Sequence, residues 1–303
     1  EITEPTNKPL TRFQKNLYTA LHEKNLLVTQ DVSAMNDDYD FKQLSNYNDY
    51  VILMAYDQFS NSTASGPVCD QKWVAEAIDQ AAKKMDSKKI ILGLAGYGYD
   101  WASWTNEEGK TETEVKTCTY AEAIDQARIA NAFIDFDNDI YNLHYSYTEK
   151  SYDAASPVKK HDVWFTDAAT TFNIMRFADE YGLAGTSLWR MGSEDPRIWS
   201  FYNLDLDNAS LRKNPFNFNL LTQIPINPNQ KPSWVGQEGG EILNILGSPQ
   251  QGKIKLEIDS TEQLVSEQVY TQLPSGYVYE KTGEDTTDIG PGHKIILTFD
   301  DGP

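Results

Sequence analysis

Tyr50-Val51-Ile52-Leu53-Met54-Ala55-Tyr56-Asp57 decides how the chain is read. A half-buried strand would alternate apolar and polar residues. A continuous apolar run of this length predicts a parallel strand covered on both faces. The run ends on a carboxylate, and an acid in that position has to be solvated or paired, which makes Asp57 a candidate site residue. Downstream, Trp73 to Met85 carries Val74, Ala77, Ile78 and Ala81 at helical spacing. Lys89-Ile90-Ile91-Leu92-Gly93-Leu94 is the next strand, running into Ala95-Gly96-Tyr97-Gly98-Tyr99-Asp100-Trp101. Upstream, Pro9 just after Thr6-Asn7 starts a helix with Phe13, Leu17, Ala20 and Leu21 on one side. A strand from Leu26 to Val32 follows. Farther along, Ala168 to Tyr181 reads as a helix, and Gly185-Thr186-Ser187-Leu188-Trp189-Arg190 as a strand. This β–α rhythm predicts an α/β fold with a parallel sheet or barrel.

Residues 102 to 163 break the rhythm and are too long for an ordinary connection. They hold a helix pattern from Tyr120 to Ala132, then alternation through Tyr141, Leu143, Tyr145 and Tyr147, and are expected to form an inserted α+β subdomain. From 206 to 240 the texture turns to that of a linker, with Asn208, Asn214, Pro215, Pro225, Pro228, Pro232 and Gly236. Short alternating runs from 241 to 290, such as Lys253-Ile254-Lys255-Leu256-Glu257-Ile258, predict a small all-β module.

The chain has 303 residues, 40% hydrophobic and 12% aromatic, enough for about two domains with real cores. A formal charge of −19 argues against nucleic acid and anionic membrane surfaces as partners. An acidic chain rich in Tyr and Trp suits neutral sugars, whose faces stack on aromatic rings. No apolar run approaches the ~20 residues that cross a bilayer. Cys69 and Cys118 fit neither a zinc site nor a disulfide scaffold. Both are expected near each other in loops at one mouth of the barrel, where they either bond in an oxidising compartment or stay two unpaired small residues. His22, His144, His161 and His293 lack ligand spacing and are expected to be structural or surface residues, and Asp162, Glu194 and Asp195 to be salt-bridging or capping residues.

The chain ends on Ile295-Ile296-Leu297-Thr298-Phe299-Asp300-Asp301-Gly302-Pro303, a strand pattern that delivers two adjacent acids to a turn. The string Thr298 to Pro303 resembles the opening motif of polysaccharide deacetylases (NodB-homology domains). The resemblance implies Asp300 as base and Asp301 as ligand of a divalent metal, zinc or similar, completed by histidines from beyond residue 303. Met54-Ala55-Tyr56-Asp57 resembles a sixth-strand motif of glycoside hydrolase family 18, the chitinase-like enzymes. Gly93 to Trp101 is similar to their seventh strand, and Leu188-Trp189-Arg190-Met191-Gly192-Ser193-Glu194-Asp195-Pro196 to their eighth.

The resemblance covers residues 1 to 205 and implies the C-terminal half of a (β/α)8 TIM barrel with an α+β insertion, joined by a small all-β linker module to a truncated deacetylase start at 291 to 303. It implies a piece of a larger bifunctional enzyme that hydrolyses or deacetylates an N-acetylhexosamine polysaccharide outside the cytoplasm, with membrane attachment a feature of the full protein. A barrel that only binds sugar for the deacetylase is the alternative. Tyr56 would orient the substrate's own amide oxygen as nucleophile, Asp57 would hold the sugar, and Trp189 would stack beneath it. Tyr97, Tyr99 and Trp101 would line the subsite, or else simply pack the mouth. Glu1 stands where the family's Asp-x-x-Asp-x-Glu motif ends, either as the catalytic acid or as the residue after it. The barrel needs no cofactor on this reading.

Overall fold

The structure, a computed structural model, describes residues 7–60, 64–149, 157–237 and 239–282. Glu1, Asp300 and Asp301 lie outside the described residues. Helix α1 (Lys8–His22) is capped by Asn7, whose side chain accepts from Leu10 N at 2.9 Å. Strand β1 (Thr29–Ser33), the single turn α2 (Phe41–Leu44), β2 (Tyr50–Met54), α3 (Gln71–Ala82) and β3 (Ile90–Ala95) follow. Next comes the insertion: β4 (Gly98–Thr105), β5 (Thr111–Cys118), α4 (Tyr120–Ala130), β6 (Asp135–Asp137), β7 (Asn142–Thr148) and β8 (Lys160–Phe165). Helix α5 (Ala168–Glu180) and β9 (Gly185–Trp189) return to the first sheet.

That first sheet is parallel, in the order β1-β2-β3-β9. Val51, Leu53, Ile90 and Leu92 point to one side and are fully buried against α3 and α5, through Val74, Ile78 and Phe172. The opposite face is different. Ile52, Met54 and Ile91 are half-buried, and Thr29 and Asp31 are exposed. The expectation of a strand covered on both faces therefore fails for Tyr50–Met54. Four strands do not close into a barrel among the described residues, and nothing described covers their second face.

The insertion is an antiparallel sheet, ordered β5-β4-β8-β7-β6. Helix α4 opens on a capping box between Thr119 and Glu122 and lays Ala123, Ile124 and Ala127 on Leu143, Tyr145, Val163 and Phe165. Its first strand begins at Gly98, earlier than the expected start at 102, so Tyr99 and Trp101 belong to β4 of the insertion. A Cβ at Gly98 would come within 2.5 Å of Phe165 Cβ and Trp164 O, which is why glycine opens the strand.

The stretch from 206 does not run as a free linker. Helix α6 (Asn208–Lys213) and its flanks bury Leu206, Leu211, Phe216 and Leu221 in the main core. Phe216 and Phe218 join Phe172 and Phe201 in one aromatic cluster, with centroids 5.0–5.7 Å apart. The remaining strands are β10 (Gln223–Ile224), β11 (Ser233–Val235), β12 (Ile242–Gly247), β13 (Gly252–Asp259), β14 (Leu264–Gln272) and β15 (Val278–Lys281). They form two three-stranded sheets, β10-β13-β14 and β11-β15-β12. The first is tied to α5 by a reciprocal pair: Asn173 Nδ2 donates to Val265 O at 2.8 Å, and Val265 N donates to Asn173 Oδ1 at 2.9 Å. Both thiols are free, Cys69 in the main core and Cys118 at the end of β5, so the bond considered from sequence does not form.

Candidate active site

Register brings the sequence candidates to one end of the parallel sheet. Met54 pairs with Gly93, Gly93 with Ser187, and Ala95 with Trp189. Because all these strands run the same way, Tyr56, Asp57, Tyr97 and Trp189 emerge at the C-terminal edge, where α/β folds place their chemistry. Gly93 makes room for Tyr56: a Cβ there would lie 3.0 Å from Tyr56 Cε1.

Asp57 is exposed and turns out of β2 with a φ of +61°, a left-handed conformation that Asp tolerates better than most residues. Its Oδ1 accepts from the phenols of both Tyr97 and Tyr99, the latter at 2.8 Å. Its Oδ2 has no hydrogen-bond partner among the described residues. The two phenols are buried, and burial, followed by the charge of Asp57 and the hydrogen bonds to it, pushes both well above the ordinary tyrosine range. They stay protonated and act as donors. Tyr56 is half-buried, and burial, then the charges of Asp57 and Asp31, pushes it up to about 12. Burial also pushes the Cys69 thiol beneath the site up to about 12, with Asp57 and Asp70 adding to it.

Rings continue outward from Tyr56 to Tyr97 (6.3 Å), Tyr99 (5.7 Å) and Trp101 (5.4 Å). Tyr97 and Trp101, expected to line the subsite, are buried and offer a sugar no open face; they pack the mouth. Trp189 is the opposite case, 58% exposed, and is followed by Met191 at 77%. A cis peptide joins Trp189 to Arg190. Asp57, Ser60, Tyr99, Val115, Lys116 and Thr117 line an open depression of about 650 Å3. Trp189 shares the sheet end with this depression but does not line it.

One residue carries more than its sequence position alone assigned it. Asp31 sits in mid-strand and reaches Tyr56 electrostatically; an acid inside a strand was the available signal. Glu194 accepts from Gly192 N and, at 3.2 Å, from Trp199 Nε1, and so shapes the turn after Trp189. Asp195 caps the turn at Pro196–Ser200 and pairs with Arg197, as a structural residue should. His161 bonds Asp100 at 2.8 Å, and His22 bonds Asp49 at 2.9 Å. Among the described residues no three His, Cys, Asp or Glu side chains group as metal ligands. No described helix is long and apolar enough to cross a membrane.

The sequence matches the family described as glycosyl hydrolases family 18 over residues 5–195, more than half of the chain. The chain belongs to that family. It is 26% identical over 198 residues to the uncharacterized glycosylase YvbX of Bacillus subtilis (strain 168), covering 62% of this chain and 54% of that protein. It is 28% identical over 216 residues to the cortical fragment-lytic enzyme of Bacillus anthracis, covering 67% and 46%. Among solved structures, the chitinase of Chromobacterium violaceum ATCC 12472 superposes with a TM-score of 0.54 at 27% identity, over 63% of this chain and 58% of that one. The spore cortex-lytic enzyme SleL of Bacillus cereus superposes at 0.52 and 25% identity, over 63% and 43%. The chain thus spans about half the length of the curated relatives it matches.

Proposed function

We propose that the Tyr56–Asp57–Trp189 edge is one side of a glycoside hydrolase site for an N-acetylhexosamine polysaccharide that lies outside the cytoplasm. The observation that carries the proposal is Asp57: two protonated phenols fix one carboxylate oxygen and leave the other to a ligand, at the sheet end that also presents Trp189. A pyranose ring stacks on the open indole. Tyr56, a phenol held protonated, donates to the acetamido oxygen and aims it at the anomeric carbon, and Asp57 holds the amide side of the sugar. Relatives whose names describe cortical fragment-lytic enzymes and chitinases support a wall or chitin-like polymer. We extend the proposal to the motif from Thr298 to Pro303, in which Asp300 would serve a deacetylase as base and Asp301 would hold a divalent metal; the motif's wording alone supports this part.

Calorimetric titration with chito-oligosaccharides tests the first part. Trp189→Ala should weaken binding by about tenfold or more, the loss of a stacking face. In the full-length protein, Asp57→Asn should cut turnover by about a hundredfold while the fold persists. Binding with no hydrolysis in the unsubstituted full-length protein would favour a sugar-binding module instead. Acetate release that survives metal stripping or Asp301→Ala would remove the deacetylase part.

A further inference from the structure

The sheet β11-β15-β12 has no core of its own. No side chain of these three strands belongs to either hydrophobic core among the described residues. Yet β12 reads Ile242-Leu243-Asn244-Ile245-Leu246-Gly247, and its Ile and Leu side chains are 55–63% exposed. Trp234 and Val235 of β11 are exposed as well. A small sheet owes its stability to an apolar face packed against something. Apolar surface gathered in one place marks a contact with a partner.

The two edges of this sheet differ. β11 is three residues long and follows Lys231 and Pro232, a charge and a proline of the kind that block strand addition. β12 is six residues long and bulges against β15 at two places, where Leu243 and Leu246 have no opposite residue. Between Ile242 and Gly247 it carries neither charge nor proline, and no described strand pairs with its outer edge. The unpaired backbone groups and the aliphatic side chains of this edge suit the same occupant, an apolar strand laid alongside. Ile and Leu offer a sugar no flat ring face, and the acidity of the chain opposes an anionic surface.

The strand complements itself. Set antiparallel to a second copy about Asn244, Ile242 faces Leu246 of that copy, Leu243 faces Ile245, and Asn244 faces Asn244. The charged neighbour, Glu241, then meets Gly247. A parallel, in-register arrangement would set Glu241 against Glu241, and like charges directly opposite are destabilising. Asn244 carries the one polar side chain of the seam. Its Nδ2 donates to Glu280 Oε2 at 2.7 Å, and its Oδ1 has no hydrogen-bond partner among the described residues. Each amide therefore keeps one donor hydrogen and one acceptor for its twin. A slipped register would set that amide against Ile or Leu and leave it unsatisfied, so the central pair fixes the register.

We propose that β12 is an interface between two copies of this chain, joined antiparallel about Asn244 so that their sheets become one. The seam is short, below the size of standard interfaces, so the pair should dissociate with a Kd of about 1–100 µM. Two chains that each carry a charge of −19 repel, so added salt should tighten the pair, the reverse of a charge-driven complex. Sedimentation equilibrium of the full-length protein measures both. Leu243→Glu and Ile245→Lys should each raise the Kd by about tenfold or more. An equal mixture of the two variants should recover the unsubstituted affinity to within about threefold, because residue 243 of one copy lies against residue 245 of the other. Neither side chain belongs to a core, so both variants should keep the melting transition. A protein that stays monomeric at about 100 µM overturns the proposal. So does a monomer whose β12 amides resist exchange, because other residues of the same protein then cover the strand. A dimer untouched by either variant, or a mixture no tighter than the variants alone, overturns it as well.

Discussion

Asp57 shows how the fold fixes one side chain at the end of a strand. The left-handed turn at its backbone takes it out of the strand, and the fold holds that turn with two phenols on one oxygen. Hydrogen bonds to a carboxylate are roughly twice as strong as neutral ones. Tyr99→Phe removes one of them without changing ring volume, so it is expected to lower unfolding stability by about 1.5 kcal/mol in a urea titration. It should also weaken sugar binding, because Asp57 is no longer held from both sides. A loss below about 0.3 kcal/mol would show that water takes over the role of the phenol. The sequence pointed to Asp57 because an acid closed an apolar strand. It did not reveal that Tyr97, Tyr99 and Trp101 are alternate residues leading into a strand. The stretch read as a continuation of the strand at 89–94, although the two-residue spacing of a new strand was there to be read.

Elements are joined by a buried polar cluster that no periodicity announces. Asp167 caps α5, accepting from Thr170 N at 2.9 Å, and Asp195 precedes the turn at Pro196–Ser200. One guanidinium, Arg197, serves both acids. It takes Asp195 in three contacts of 2.5–3.0 Å and reaches Asp167 only at 3.8 Å. It also donates to Tyr120 of the insertion at 2.9 Å, while Tyr270 of β14 donates to Asp167 at 2.8 Å. Burial accordingly pushes Asp167 above the usual carboxylate range, with Arg197 only partly opposing it and Asp195 adding to it. A carboxyl raised in the folded state stabilises the fold fully below its unfolded pKa of about 3.9, and that contribution is lost as pH rises through its folded value. Arg197→Met should cost about 3–5 kcal/mol near neutral pH, because it strands two buried carboxylates. The cost should shrink in mildly acid solution as Asp167 takes up a proton. Urea titrations across that pH range check both points; a loss independent of pH would contradict the assignment of the strain to Asp167.

At the scale of the whole molecule, the β–α rhythm and the order of strands were legible, because long apolar runs and helical spacing repeat. The tail was not. Leu206, Leu211, Phe216 and Leu221 anchor residues 206–221 to the main core, yet their spacing matches neither helix nor strand, so the asparagines and prolines between them suggested a linker. The same packing decides how the molecule should unfold. A β module on a loose tether would melt by itself. Here β14 is held to α5 by the reciprocal Asn173–Val265 pair and to the cap of the same helix through Tyr270 and Asp167, and Ile254 and Tyr270 share a core with α4. Breaking these contacts exposes buried polar groups on both sides, so neither part gains by opening first. Differential scanning calorimetry should therefore show a single transition spanning the parallel sheet, the insertion and β13–β14. Asn173→Ala removes both bonds of the pair and leaves the Val265 amide and carbonyl buried without partners, at a cost of about 2–4 kcal/mol. In that variant β13 and β14 should lose amide-exchange protection before β1–β3 do. Two well-separated transitions in the unsubstituted chain would mean that the sheets after residue 223 form a separate body after all.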